Sequence, residues 1–101
     1  MNLNVVFEVE AEVELFKIQD HYRSISPELA RKFNTALQDR LRAILEFPES
    51  FQEIAPHLRR ALILKHPYFI YYAIDPDVIF IYAIAHQQRD QDYWLHRVNP
   101  N

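Results

Sequence analysis

Residues 59–85 read RRALILKHPYFIYYAIDPDVIFIYAIA, and the fold turns on this stretch. It contains three β-rich runs, 59–65, 68–74 and 78–85, dominated by branched and aromatic side chains. His66-Pro67 separates the first two, and Asp75-Pro76-Asp77 supplies a turn between the last two without any glycine. Links this short join antiparallel neighbours, so the three runs form a meander. A sheet of this kind has an apolar face that another layer must cover.

The cover lies upstream. Ser26 suits a helix N-cap and Pro27 its first turn. Leu29, Phe33, Leu37, Leu41 and Ile44/Leu45 then recur at spacings of four and three, opposite Arg31, Lys32, Gln38, Asp39 and Arg42. This predicts an amphipathic helix over 27–46, stopped at Phe47-Pro48. The preceding segment supports two periods. Val5, Phe7, Val9, Ala11, Val13 and Leu15 alternate as in a strand, while Ala11, Leu15, Ile18 and Tyr22 follow helical spacing. A strand over about 3–8 and a helix over about 10–23 reconcile them, giving an antiparallel helical hairpin. Residues 48–57 read as a loop. The tail from His86 onward is polar and aromatic, with a helical turn around 92–97.

The expected fold is therefore α+β: an N-terminal strand and a helical hairpin packed on a small antiparallel sheet, in a single domain over 1–101. The expected core is Leu15, Ile18, Phe33, Leu37, Leu41, Ile44, Leu62, Leu64, Ile70, Ile74, Ile79 and Ile81, where a slip of one residue would swap a strand's faces. With 101 residues, half of them hydrophobic, the chain suits one core.

Composition removes whole classes of function. Glycine is absent, against about 7 % in an average protein. Phosphate-cradling loops and dinucleotide fingerprints need it, so both are excluded. Cysteine is absent too, which removes disulfides, thiolate nucleophiles and cysteine zinc sites. No apolar run reaches the ~18–20 residues of a membrane span, and the first residues lack a signal peptide's pattern. A cytoplasmic protein with no membrane partner is expected. The net charge of −3 is uneven: residues 1–56 carry −4, whereas 57–101 carry +1 and four of the five histidines. Bulk charge thus points away from a general nucleic-acid binder.

His21, His57, His66, His86 and His96 show no close metal-ligand spacing, so neither a metal nor any other cofactor is expected. Glu8, Glu10, Glu12 and Glu14 read as a solvated helix surface, and Ser24, Ser26 and Ser50 as turn and cap residues. The second half is richer. Arg59, Arg60, Lys65 and His66 bracket one strand, and His86, Arg89, Tyr93, Trp94 and Arg97 follow the last. Cations interleaved with aromatics can hold phosphate and stack on bases. They could equally be edge-strand surface and core closure.

Together these features resemble the RelE/ParE superfamily of type II toxin–antitoxin toxins over roughly residues 4–97. The most specific pieces are the basic strand, Pro-Tyr step and aromatic strand of residues 59–72. To these add His86-Gln87-Gln88-Arg89-Asp90 with Tyr93, Trp94 and Arg97, similar to ParE-like endings. The resemblance implies the order strand, helix, helix, three antiparallel strands, a cognate antitoxin partner, and a role in growth inhibition and plasmid stabilisation. It carries two activities. RelE-like members are ribosome-dependent, metal-independent ribonucleases acting on mRNA, for which Arg60, Lys65, His86, Arg89 and Tyr93 would surround the phosphate. ParE-like members inhibit DNA gyrase by binding, for which no residue is catalytic and Arg89, Tyr93, Trp94 and Arg97 would form the target-binding surface. Phe69 stands where the nucleases commonly place an arginine, and Gln87 and Gln88 where they are often basic, so the ParE-like branch is the closer likeness. The acidic net charge departs from the superfamily's neutral-to-basic habit, and a non-toxic relative is the third alternative. Trp94 is expected to bury its ring, and Arg89 and Arg97 to be the more exposed.

Overall fold

A computed structural model describes residues 4–90 and 97. The element order is β1 (Asn4–Phe7), α1 (Val9–Ile25), α2 (Pro27–Glu46), β2 (Gln52–Ala55), β3 (Leu58–Leu62), β4 (Tyr68–Asp75) and β5 (Val78–His86). The five strands form one sheet in the order β1-β5-β4-β3-β2. The meander β3-β4-β5 is antiparallel as expected, whereas β1 runs parallel to β5, with Asn4 opposite Val78 and Phe7 opposite Ile81. The sheet is therefore mixed.

The helices form where capping and periodicity coincide. Ser26 ends α1 and begins α2: its N–H bonds to Tyr22 O, and its Oγ accepts from Glu28 N and Leu29 N. One serine thus satisfies orphan groups of both helices. The hairpin covers one sheet face. Phe33, Leu37, Leu41 and Ile44 of α2 and Ala11 and Ile18 of α1 meet Ala61, Ile63, Ile70, Tyr72, Ile79, Ile81 and Ile84. Leu15 and Ile74 pack partly buried against this core.

Two expectations fail in β3. Leu62 and Leu64 were expected inside, but they are 37 % and 61 % exposed, and Ala61 and Ile63 take the core positions. The register Ala61↔Ile70 sets this, since residues opposite each other share a face. Residues 48–57 are not wholly loop either. β2 pairs with β3 through Gln52↔Arg60 and Glu53↔Arg59, so the β3 edge of the meander is covered at that end.

The connection before β2 is pinned from the sheet. Arg59 donates to the carbonyls of Glu49 (3.1 Å) and Phe51 (2.6 Å), and the Tyr72 hydroxyl donates to Pro48 O (2.6 Å). Burial, only partly offset by the charge of Arg59, raises the Tyr72 hydroxyl to about 12. A second, smaller cluster of Leu58, Tyr71, Ala83 and Ala85 lies on the face away from the helices. Without glycine, His57 (φ 64°) and Lys65 (φ 69°) take the left-handed turns at either end of β3.

Candidate functional site

Two grooves flank the hairpin. The first runs between α2 and the end of β3, with Leu29, Ala36, Ala43 and Leu64 giving apolar surface and Arg31, Lys32, Arg40 and Lys65 a basic rim. Its carboxylates are engaged nearby: Glu28 pairs with Lys32 (3.5 Å) and Asp39 with Arg42 (3.2 Å). Arg40 lays its guanidinium 5.3 Å from the Phe51 ring centroid, and its Nε is buried without a hydrogen-bond partner. Beside the groove, the Ile63 N–H donates to Tyr68 O and its C=O accepts from His66 N. The backbone of Leu62, the last residue of β3, therefore faces away from β4, and among the described residues no strand pairs with it beyond Gln52↔Arg60. This groove joins apolar floor, positive charge and unpaired strand edge.

The second groove lies between α1 and β5, bounded by Val13, Lys17, Tyr68, Ile84, His86 and Arg89. An aromatic ridge stands between the two. Tyr22 stacks on Phe33 (5.1 Å between centroids), His66 meets both rings edge-on, and Tyr68 meets His86 at 5.5 Å. His66 Nδ1 and the Tyr22 hydroxyl are 3.2 Å apart. Burial lowers the His66 pKa; burial first and Tyr68 second raise that of Tyr22. Both shifts favour neutral rings, as a packed ridge requires. Among the described residues no group of histidines and carboxylates could hold a metal ion.

The residues an RNA-cutting reading would use are dispersed. Arg60 shares a sheet face with Tyr71, away from the helices; its guanidinium lies 4.3 Å from the Phe69 ring centroid and its Nε donates to Gln52 Oε1 (3.2 Å). His86 is opposite Tyr68, on the helix-covered face, and accepts from Gln88 N through Nδ1 (3.1 Å). The sheet stands between them. Lys65 lies on the first groove, and His86 and Arg89 on the second. Tyr93 and Trp94 lie outside the described residues.

Arg97 departs most from expectation. It was expected exposed, yet its side chain is 11 % exposed and held by carboxylates. Nη1 and Nη2 bond both oxygens of Glu14 (2.9 Å each), Nε bonds Glu10 (2.7 Å), and Nη1 also donates to Tyr82 O (3.0 Å). Burial alone would lower its pKa, but the Glu14 hydrogen bond and the charges of Glu14, Glu10 and Glu8 outweigh it, and the net shift is upward. The glutamates read as a solvated surface are thus partly structural. Glu8 caps α1 by accepting from Glu10 N, and Glu14 is 18 % exposed. The missed signal was Glu10 and Glu14 one turn apart on the same helix, positions that face one partner together.

The family description "ParE toxin of type II toxin-antitoxin system, parDE" matches residues 5–91, which reach every helix and strand described above. The chain belongs to the ParE toxin family. A solved chromosomal ParDE toxin–antitoxin system from P. aeruginosa shares the fold, with a TM-score of 0.70 at 19 % identity, covering 83 % of this chain and 95 % of that one. No curated protein matches the chain. Among the described residues no helix is long and apolar enough to cross a membrane.

Proposed function

We propose that this ParE-family toxin acts by binding its target, DNA gyrase, rather than by cutting mRNA on the ribosome. The observation that carries the choice is the placement of Arg60 and His86 on opposite faces of the sheet, with Lys65 and Arg89 on different grooves. General acid–base cleavage needs proton-transfer and charge-stabilising groups within hydrogen-bond reach of one phosphate. A binding inhibitor needs only a surface of aromatic and arginine anchors, a role that falls to Arg89 with Tyr93 and Trp94. Arg97 in this reading is structural, held by Glu10 and Glu14. Purified protein is expected to inhibit gyrase supercoiling and to leave ribosome-bound message intact. Unimpaired supercoiling beside codon-position cuts overturns the choice.

The same reading implies a cognate antitoxin. The first groove suits an acidic amphipathic segment, with apolar side chains over Leu29, Ala36 and Leu64 and carboxylates towards Arg31, Arg40 and Lys65. The backbone of Leu62, unpaired on that side among the described residues, can accept a following strand. Co-expression with the antitoxin is expected to yield a stable complex that Leu64→Asp weakens at least tenfold while the free protein stays folded. An unchanged affinity removes the groove from the interface.

A further inference from the structure

One stretch of the sheet's edge, on β5 beyond β1, is closed by side chains. β5 has nine residues and β1 only four. The chain leaves β1 at Phe7, and the Glu8 N–H makes the last strand-type bond, to Ile81 O (2.9 Å). A bulge follows: Tyr71 faces Ala83 while Tyr72 faces Ile81, so Tyr82 is the extra residue. Beyond it the outward backbone groups of β5 shift to Tyr82 O and Ile84 N. Among the described residues no backbone group meets them from the β1 side. Instead Glu14 Oε1 accepts from Ile84 N (3.0 Å), Arg97 Nη1 donates to Tyr82 O (3.0 Å), and the two side chains are joined in a bidentate pair.

An acceptor at Ile84 N and a donor at Tyr82 O are the complement a neighbouring strand would offer. We infer that Glu14 and Arg97 guard this edge: joined to each other, they fill the hydrogen-bonding positions of an absent strand and keep the β5 edge of a second copy from pairing there. Unpaired strand edges are templates for another chain, and charged side chains are a known defence. Here the defence is stronger than a charge pointing outward, because the charges make the edge's own hydrogen bonds. Glu10 adds to it by holding Arg97 Nε. The groove along Ile84, Ala85 and His86 leaves room beside the edge for an incoming backbone once Arg97 is gone. This inference does not depend on the toxin's target.

The test combines two measurements on the full chain, for wild type, Arg97→Gln and Glu14→Ala. Sedimentation equilibrium gives mass against concentration, and NMR gives the exchange rate of the Ile84 amide relative to that of Ile79, which lies within the β1 pairing. In dilute solution Glu14→Ala is expected to speed Ile84 exchange about tenfold or more relative to Ile79, the effect of losing one hydrogen bond. As concentration rises, both variants are expected to approach twice the monomer mass, and in Glu14→Ala the Ile84 amide is expected to become protected again. Wild type is expected to change in neither respect over the same range. Arg97→Lys keeps the charge and loses the fork, so it should lie between, and it replaces Glu14→Ala if that variant does not fold. Variants that remain monomeric with concentration-independent Ile84 exchange overturn the inference. Wild type that dimerises as readily as the variants overturns it as well.

Discussion

Helix α2 turns Ala30, Phe33, Leu37, Leu41 and Ile44 inward at spacings of three and four, and its outward face carries charge. Helix α1, beside it, has Ala11 and Ile18 as its buried residues, and sends Val9, Val13 and Phe16 outward. The two are joined through Ser26 and by Gln19 Nε2 donating to Asn34 Oδ1 (3.1 Å). The difference lies in what each helix contributes. α2 is held by area removed from water, a non-directional term. α1 adds directed bonds: Glu8 caps its start, Glu14 bonds β5, and Glu10 and Glu14 together hold Arg97. A helix anchored partly by polar contacts can leave apolar side chains in solvent without losing its place.

Substitutions can break this contrast. Phe33→Ala removes the largest fully buried side chain of α2 and is expected to cost about 3–5 kcal/mol in chemical denaturation. A loss under 1 kcal/mol would mean that α2 is not the main apolar anchor. Glu14→Gln on α1 keeps an acceptor for Ile84 N but leaves Arg97 without its fork, and about 2 kcal/mol is expected, below the range for fully buried pairs. Glu12→Gln, on the exposed side of the same helix, should change stability by no more than about 0.5 kcal/mol. Equal effects at the two glutamates would erase the distinction between directed and solvated carboxylates. Ser26→Ala, which removes the cap of α2 at the hinge between the helices, is expected to cost about 1 kcal/mol.

Smaller still is a pH effect at the aromatic ridge. The native state lowers the pKa of His66 below its ordinary 6.5, so it binds fewer protons than the unfolded chain. The stability contributed by neutral His66 is present above pH 6.5 and is lost as pH falls through 6.5 towards the lowered native value. His66→Asn should flatten that part of the stability–pH curve, measured by urea midpoints between pH 5 and 7.5. An unchanged slope would show that the ridge accepts the charged ring. An effect as small as that of Glu12→Gln is expected at Phe16, 63 % exposed on α1: Phe16→Lys should shift stability by no more than about 0.5 kcal/mol. A larger loss would place apolar contacts on α1 where the structure has solvent.

The same contrast explains what was legible in the sequence. Helix α2 was legible because one residue type repeats at one period, and Ser26-Pro27 marks its start. The meander was legible from its turns. The faces of β3 were not, because Ala61-Leu62-Ile63-Leu64 is apolar throughout and offers period two no alternation to fix register. β2 was hidden because Gln52, Glu53 and Ala55 carry little strand preference; its pairing comes from β3. In the candidate site, chemistry-bearing residues could be named but not sorted onto faces. Arg60 and His86 fall on opposite sides because of parity along β3, β4 and β5. Arg97 was expected in solvent as a target-binding residue; the carboxylates that bury it lie on α1, far away in sequence, and spacing around Arg97 gives no hint of them.

The pairing of β1 with β5 also sets an order of events. β1 is made first on the ribosome, but its register partner runs from Val78 to Ile81, near the other end of the sequence. Closing so long a loop is entropically costly and comes late unless other contacts have already drawn the ends together. The helical hairpin and the meander are local and can form as they emerge, whereas β1 waits for β5. The guard residues obey the same schedule, since Glu14 emerges early and Arg97 after β5. α1 and α2 are therefore synthesised while β5's outer edge is still open, and that edge closes only when Arg97 reaches Glu14. Among the described strands, β1 is the one whose partner lies farthest along the chain.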